Sequence, residues 1–357
     1  MEDLPPEVKQ QLEEQKKNCV FCKILTGEIP AQKVYEDKEM AAILDINPCT
    51  KGHVLLMPCE HYPIMPLIPA GTFKHMFGLM PRFIKLLKDA LLTTGANIVI
   101  ANGGVAGQQA PHFMMHIIPR EKGDWLDKYA FNEKKQINQE SQDQAIQILA
   151  NNLPQMMKNH FSRQPPQWEK SGEGEHANWV RSNNGVFYED EKALAVIPGN
   201  PQQVGHVVIY SKEEKSHIEN LGFEESSHLF YVASFAATCV FEGLKAHGTN
   251  IILKTGVSDD NPTPMLELHV LPRNPDDGLE LLNQPMNEKP DMDEVAAGIK
   301  DKMFFLQHEV SGEKKEEKIK VNLDEEPETV GQESGVSDTN DEPENEIKNA
   351  IKSLKNQ

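Results

Sequence analysis

The strongest constraint on the fold of this chain is an internal repeat with a fixed offset of 153 residues. Short motifs recur in the same order, and no insertion or deletion separates the two copies between residues 35 and 120 of the first. The recurring motifs are Tyr35-Glu36-Asp37 with Tyr188-Glu189-Asp190, Asn47-Pro48 with Asn200-Pro201, Gly52-His53-Val54 with Gly205-His206-Val207, Gly95 and Asn97 with Gly248 and Asn250, and His116-Ile117-Ile118-Pro119-Arg120 with His269-Val270-Leu271-Pro272-Arg273. A two-unit period of this length is typical of duplicated globular domains rather than of a solenoid.

The apolar pattern within each copy predicts an antiparallel α+β domain. Short apolar runs at 40–46, 52–57, 97–101 and 113–118 are bounded by Gly, Pro and Asn, which is typical of strands. Residues 72–93 have apolar side chains at helical spacing, with a kink expected at Pro81, and the second copy has a helix at about 225–246. Strands therefore outnumber the one long helix of each copy.

The chain divides into six segments by composition and pattern. They are a polar leader (1–16), a first domain (17–125), a helical linker (126–165), a second domain (166–280), a C-terminal helix (281–310) and an acidic tail (311–357). The tail is poor in apolar residues and rich in Glu, Asp, Gly, Ser and Pro, so we expect it to be mostly disordered.

Charge and cysteine content exclude several classes of protein. A formal net charge of −19 argues against nucleic-acid binding, which needs a basic surface. No apolar run approaches the roughly 18 residues of a membrane span, and residues 1–18 are too charged for a signal peptide. The five cysteines lack a disulfide-like spacing outside Cys19 and Cys22, so we expect a reducing cytoplasm.

Residues 107–120 contain the main candidates for ligand-binding and catalytic groups in the first copy. In a strand, residues 112, 114 and 116 lie on one face, which places His112, Met114 and His116 side by side. A polar turn led by Gly107 precedes them, and its backbone N–H groups can approach a phosphate closely. Taken alone, this pattern also fits a half-buried strand with two incidental histidines.

This stretch closely resembles the signature of the histidine-triad (HIT) family of nucleotide-binding proteins and nucleotidyl hydrolases, a Gly-Gln turn followed by His-x-His-x-His. The resemblance covers residues 17–125 and extends through Cys19-Val20-Phe21-Cys22-Lys23-Ile24, Tyr35-Glu36-Asp37, Asp45-Ile46-Asn47-Pro48, Gly52-His53-Val54-Leu55, Pro58-Cys59-Glu60-His61 and Asn102-Gly103. Met114 departs from the family at the position of the histidine that attacks the α-phosphate. Family domains pair edge to edge, so the resemblance implies an intramolecular pseudo-dimer and a monomeric chain.

Cys19, Cys22, His61 and His112 are candidate zinc ligands. Zinc prefers four nitrogen and sulfur ligands, often a Cys-x-x-Cys pair with two histidines. Some family members, and the related galactose-1-phosphate uridylyltransferases, hold structural zinc in this way. In the second copy His61 becomes Glu214, His112 becomes Met265, and the cysteines are absent, as expected if the four residues form one site. A redox pair and two buried thiols are the alternatives.

The resemblance also implies a purine-nucleotide pocket in the first copy. Asp45 matches the acid that accepts hydrogen bonds from the ribose hydroxyls, and His116 matches the third triad histidine, which helps to hold the phosphate. The polar group and turn around the α-phosphate match Asn102, Gly107, Gln108 and Gln109, whereas His53 is expected to support the core. In the second copy the equivalents are Pro198, Thr255, Asp260 and, at the nucleophile position, Glu267, so that copy is expected to be a structural partner.

The missing nucleophile leaves two functional hypotheses. A thioether is weakly nucleophilic, so we expect a nucleotide-binding protein with weak or no hydrolase activity, in which His116 only assists. The alternative is an active hydrolase or nucleotidyl transferase on dinucleoside polyphosphates or nucleoside phosphoramidates, in which His112, His116 or a water attacks. A zinc ligand cannot also be the free nucleophile, which counts against His112. A sugar-phosphate nucleotidyl transferase is a weaker third hypothesis, since the triad of those enzymes ends in glutamine where this chain has His116.

Overall fold

The computed structural model describes residues 6–124, 126–127, 129–131, 135–166, 174–262, 264–279, 281 and 285–321. The helices are α1 (Pro6–Asn18), α2 (Val20–Leu25), α3 (Ala70–Gly78), α4 (Met80–Leu91), α5 (Gln139–Arg163), α6 (Glu175–Asn183), α7 (Phe223–Gly243) and α8 (Met292–Val321). The strands are β1 (Lys33–Glu36), β2 (Met40–Leu44), β3 (Val54–Pro58), β4 (Gly95–Asn102), β5 (Met115–Arg120), β6 (Gly185–Glu189), β7 (Ala193–Ile197), β8 (Val207–Ser211), β9 (Gly248–Gly256) and β10 (Glu267–Arg273). Among the described helices, none is both long enough and apolar enough to cross a membrane.

One ten-stranded sheet contains both repeats. The strand order is β1-β2-β3-β5-β4-β9-β10-β8-β7-β6, and neighbouring strands are antiparallel. The order within repeat 2 mirrors that of repeat 1, and the repeats join where β4 pairs with β9, from Gly95 opposite Gly256 to Asn102 opposite Thr249. Each repeat thereby covers an inner strand edge of the other.

Two recurring glycines allow β4 and β9 to approach closely at this junction. A Cβ atom on Gly95 would lie 2.8 Å from the carbonyl oxygen of Val257 and 2.9 Å from that of Thr255. A Cβ atom on Gly248, the equivalent residue of repeat 2, would lie 2.8 Å from the carbonyl oxygen of Asn102. The recurrence of glycine at these positions therefore has a steric cause.

The main core lies between one face of the sheet and the helices α3, α4 and α7. The ring of Phe73 stacks on that of Tyr231 with a centroid distance of 4.0 Å, and Phe77 lies 4.5 Å from Phe230, so the two repeats share this core. The other face of the central strands is covered by side chains from the segments that follow each repeat, namely Leu126, Tyr129, Phe131, Leu279 and Leu281.

The helix expected over residues 72–93 is two helices. α3 ends at Gly78 and α4 begins at Met80, so Pro81 lies in the first turn of a new helix, where the missing N–H costs no hydrogen bond. α7 is continuous because repeat 2 has Ser234 at the equivalent position.

Two further boundaries differ from the expected ones. β5 begins at Met115 rather than at residue 113, because the preceding residues leave the ladder to reach the Cys19–Cys22 region. The C-terminal helix was expected over 281–310, whereas α8 runs from Met292 to Val321. It packs through Val295, Ile299 and Met303. The remainder of the acidic tail, residues 322–357, lies outside the described residues, so its expected disorder stays a prediction.

Candidate functional site

Cys19, Cys22, His61 and His112 form one buried cluster. Cys19 is the residue before α2, Cys22 lies within α2, His61 follows β3 and His112 precedes β5. The Nδ1 atom of His112 lies 3.5 Å from Sγ of Cys19 and 3.6 Å from Sγ of Cys22, and Nδ1 of His61 lies 3.3 Å from Sγ of Cys22. The fold thus brings together four ligand-type atoms from separate segments.

The spacing of these atoms fits a tetrahedral metal site. Zn–S bonds of about 2.3 Å and Zn–N bonds of about 2.0 Å place tetrahedral S and N ligands about 3.5 Å apart. The observed sulfur–nitrogen distances of 3.3–3.6 Å match that edge length. The Nε2 atom of His112 is 3.1 Å from the carbonyl oxygen of Pro58 and donates its proton there, so the Nδ1 lone pair faces the two sulfurs. The donor set therefore fits zinc.

Repeat 2 replaces this cluster with an apolar one. Met265, at the position of His112, packs against an apolar cluster that includes Ala177 and Val180 of α6 and Tyr210 of β8. α6 thereby covers the outer face of repeat 2 by hydrophobic contact, whereas α2 of repeat 1 reaches its sheet beside the Cys/His cluster.

Met114 and His116 lie on the outer face of the sheet, whereas His112 precedes β5 and joins the Cys19–Cys22 cluster. Met114 packs against Leu55 and Met57 of β3 on the outer face, whereas Phe113, Met115 and Ile117 belong to the core on the opposite face. Met114 is partly buried and packs against this apolar cluster. A neutral thioether therefore stands on the outer face two residues before His116.

His53 and His116 form a directed hydrogen-bonded pair. The backbone N–H of Cys49 donates to Nδ1 of His53 at 3.4 Å, so the proton of this ring is on Nε2. That Nε2–H donates to Nδ1 of His116 at 3.1 Å, which leaves the Nε2–H of His116 pointing away from the pair. Burial and the neighbouring His116 lower the pKa of His53 to about 3, and burial lowers the pKa of His116, so both rings are neutral at pH 7. Among the residues that the structure describes, the Nε2 atom of His116 has no protein acceptor.

Asp45 lies beside this pair at the end of β2. Its Oδ2 atom is 3.5 Å from Nδ1 of His53, and its Oδ1 atom accepts the backbone N–H of Asn47 at 2.8 Å. The following loop is contacted by the segment before α8, in which Lys289 Nζ lies 2.6 Å from the carbonyl oxygen of Ile46. Lys289 is a neighbour of the site that sequence reasoning missed, since it lies more than 240 residues away in the chain.

The turn led by Gly107 is organised by its own side chains. Gly107 has a φ angle of +94°, which favours glycine. Gln108 accepts the N–H of Gly103 at 2.8 Å and donates to the carbonyl oxygen of Pro63 at 2.6 Å, so its amide is engaged within the protein. Gln109 is exposed. Asn102 accepts the N–H of Met65 at 3.2 Å and donates to Thr249 of repeat 2 at 3.3 Å.

Each repeat also contains a hydrogen-bonded Tyr–Asp–His cluster that was not predicted from the sequence. Tyr35 and His75 each contact Asp37 at 2.7 Å. Tyr188 and His228 contact Asp190 in the same way at 2.6 and 2.8 Å. The two histidines are also 153 residues apart, and that recurrence would have revealed them.

Comparison with known proteins places the chain in a family. The model of the HIT domain matches residues 26–123 and again residues 181–276. An uncharacterized HIT-like protein of Methanocaldococcus jannaschii is 43% identical over 120 residues, which are 34% of this chain and 92% of that protein. The chain belongs to the HIT family and contains two HIT domains in tandem.

Two other similar proteins have more specific names. Adenylylsulfatase HINT3 of Arabidopsis thaliana is 39% identical over 109 residues, 30% of this chain and 55% of that protein. The crystal structure of a Zn-bound histidine triad family protein from Mycobacterium smegmatis is 37% identical, with 31% of this chain and 81% of that one covered and a TM-score of 0.30. At this TM-score the structural likeness adds no weight to the family assignment, which rests on the sequence matches.

Proposed function

We propose that repeat 1 is a binding site for a purine nucleotide and that it hydrolyses nucleotides weakly or not at all. One observation carries the proposal. The neutral pair of His53 and His116 leaves an N–H that has no acceptor among the described residues, on the face where Met114 takes the place of the nucleophile. Such a site has a donor for a phosphate oxygen but no group that attacks phosphorus.

The proposed roles follow from the chemistry of each group. The Nε2–H of His116 donates to a phosphate oxygen, and the backbone N–H groups of the turn at Gly107–Gln109 contact the same phosphate. The carboxylate of Asp45 accepts hydrogen bonds from the ribose hydroxyls. Asn102 positions the end of β4 beside the phosphate through its contacts with Met65 and Thr249.

Neither Met114 nor His112 is suited to covalent attack on phosphorus. The Met114 thioether is neutral and weakly nucleophilic, and the loss of the nucleophile from a covalent mechanism removes most of the rate. The Nδ1 lone pair of His112 faces Cys19 and Cys22, and its Nε2–H is bonded to Pro58, so neither ring nitrogen of His112 is free to attack.

We further propose that Cys19, Cys22, His61 and His112 hold one structural zinc ion. The bound metal would supply a covalent-strength link between α2, the end of β3 and the start of β5. α2 has only six residues, which is too short for a helix to be stable by its own hydrogen bonds. The metal would therefore hold the outer face of repeat 1 together next to Met114.

Calorimetric titration and a turnover assay on the same preparation test the proposed function. We expect the full chain to bind adenosine and guanosine monophosphates, and His116→Ala and Asp45→Ala to weaken binding about tenfold or more, as expected for a lost charge-assisted hydrogen bond. Dinucleoside polyphosphates, nucleoside phosphoramidates and, because of the name of the Arabidopsis relative, adenylyl sulfate are the substrates to assay. Turnover at about 1–10³ per second would overturn the proposal.

A further inference from the structure

Glu267 of repeat 2 lies at the position of Met114 and is held by three donors. Lys254 Nζ lies 3.0 Å and His269 Nε2 lies 3.2 Å from its Oε2 atom. The hydroxyl of Tyr210 donates to its Oε1 atom at 3.1 Å. Although burial raises the pKa of Glu267, the hydrogen bond from His269 and the charge of Lys254 lower it below its usual range, so the group is a carboxylate.

The three donors are built into the sheet. Tyr210 is on β8, Lys254 on β9 directly opposite Glu267, and His269 on β10. Each donor residue is at most 5% exposed. A buried ammonium group without a counter-charge is strongly destabilising, so the cluster requires an anion at its centre.

A histidine pair orients the third donor, as in repeat 1. The backbone N–H of Gln202 donates to Nδ1 of His206 at 3.1 Å, and His206 Nε2–H donates to Nδ1 of His269 at 3.1 Å. The remaining Nε2–H of His269 therefore points at the carboxylate of Glu267. In repeat 1 the equivalent N–H of His116 has no protein acceptor among the described residues.

Phe131, from the segment between the repeats, covers this cluster. Its ring centroid lies 5.0 Å from the ring of His269 and 5.7 Å from Lys254 Nζ. Its carbonyl oxygen accepts the side-chain amide of Asn200 at 2.9 Å and that of Gln202 at 3.3 Å, which hold the segment in place.

At three of these four positions repeat 1 has an apolar residue, and at the fourth it has His116, the equivalent of His269. Met57, Ala101 and Met114 take the places of Tyr210, Lys254 and Glu267. The carboxylate and two of its three donors thus differ together between the repeats, which indicates that Glu267, Lys254 and Tyr210 act as one unit.

We propose that repeat 2 contains an anion-binding site whose resident anion is the carboxylate of its own Glu267. The side chain fills the place of a free carboxylate or inorganic phosphate and closes the site to ligands. Lys254, His269 and Tyr210 are the groups that would bind such an anion if Glu267 were shortened. This inference concerns repeat 2 alone and does not depend on whether repeat 1 binds a nucleotide.

Anion-dependent thermal unfolding of the full chain tests the proposal. Glu267→Ala is compared with wild type and with the double variant Glu267→Ala/Lys254→Ala, in sodium phosphate or sodium acetate against sodium chloride of equal ionic strength. We expect Glu267→Ala to be stabilised by phosphate and acetate more than either other protein. By calorimetry it should bind phosphate about tenfold or more tightly than the double variant. Equal anion responses in the three proteins would overturn the proposal.

A measurement on wild type covers the case in which Glu267→Ala does not fold. The ring ¹⁵N resonances of the histidines are followed by NMR while inorganic phosphate is added. We expect the Nε2 resonance of His269 to stay constant, because the Nε2–H already donates a hydrogen bond to Glu267. Saturable movement of that resonance would show that phosphate enters repeat 2 beside Glu267 and would overturn the proposal.

Discussion

The guanidinium of Arg120 in repeat 1 lies 2.9 Å from the carboxylate of Asp260 in repeat 2, and both side chains are fully buried. Asp260 also accepts a hydrogen bond from Asn97 at 2.7 Å. Asp260 occupies in repeat 2 the position that Gly107 occupies in repeat 1. The position that is expected to approach a phosphate in repeat 1 therefore provides, in repeat 2, the carboxylate of an ion pair between the repeats.

Removal of this carboxylate should destabilise the whole chain. Asp260→Asn leaves a buried guanidinium with only part of its counter-charge, and we expect the free energy of unfolding to fall by about 3 kcal/mol. Urea unfolding measures this loss. Asp276→Asn, the same change at an exposed position, should alter stability by less than about 0.5 kcal/mol. Equal effects of the two substitutions would contradict the role of the pair.

The glycine at the junction of the repeats gives a second stability test. Gly95→Ala places a Cβ atom 2.9 Å from the backbone oxygen of Thr255 on the neighbouring strand, so we expect a loss of about 1–3 kcal/mol. Gly71→Ala is the matched control in α3, where a Cβ atom would have no neighbour within 4 Å. It should be neutral or stabilising by up to about 1 kcal/mol. If Gly95→Ala were as stable as Gly71→Ala, the close pairing of β4 and β9 would be wrong.

The zinc proposal predicts one metal ion per chain. Cys22→Ser should lose the metal and lower the unfolding temperature, because α2 loses its link to His61 and His112. Cys239→Ser, at a buried cysteine of α7 outside the cluster, should retain the metal. Elemental analysis of the three proteins decides the matter, and a metal content unaffected by Cys22→Ser would exclude the assigned ligands.

Substitutions of Met114 test the proposed binding site. Met114→His places an imidazole on the correct face of the sheet, so some nucleotidyl-histidine should form, detectable by mass spectrometry after incubation with a nucleoside phosphoramidate. Recovery should be partial, since the apolar surroundings of Met114 do not orient an imidazole. Met114→Glu should abolish nucleotide binding, because its carboxylate would accept the His116 proton and repel phosphate. Met114→Leu, the apolar control, should bind nucleotide without forming the adduct, and adduct formation by this variant would contradict the assignment.

The lowered pKa of buried His53 predicts how the stability of the chain depends on pH. Its folded-state pKa of about 3 lies below the ordinary value of 6.5, so the unfolded chain takes up a proton that the folded chain does not. The stability contributed by neutral His53 is complete above pH 6.5 and is lost as the pH falls towards 3, by up to about 1.4 kcal/mol for each pH unit. Urea unfolding at pH 7.5 and 5.5 should therefore show a smaller loss for His53→Gln than for wild type. An equal loss would mean that His53 is protonated in the folded protein.

Part of the candidate site could be read from the sequence, and part could not. Repeat 2 lacks the equivalents of Cys19, Cys22, His61 and His112. Their joint loss predicted that the four residues form one cluster, and they do lie together. Local alternation predicted that Met114 and His116 share a face of the sheet, whereas the departure of His112 from the strand ladder was not predicted. The pairing of Asp260 with Arg120 and of Glu267 with Lys254 was not predicted, because Lys254 is on another strand and Arg120 is in the other repeat. Phe131 was also missed, since nothing in its own segment indicates which histidines it will cover.

The sequence by itself determined the family, the tandem arrangement and the loss of the attacking histidine, because these depend on residue identity and on spacing along the chain. Only the tertiary structure decided what the altered residues of repeat 2 contact. From the sequence alone, Glu267 is expected only to repel a phosphate. In the folded sheet its carboxylate neutralises the charge of Lys254. The physical reason is that the energy of a charge in a buried site depends on its neighbours in space, and strand register across β9 and β10 selects those neighbours.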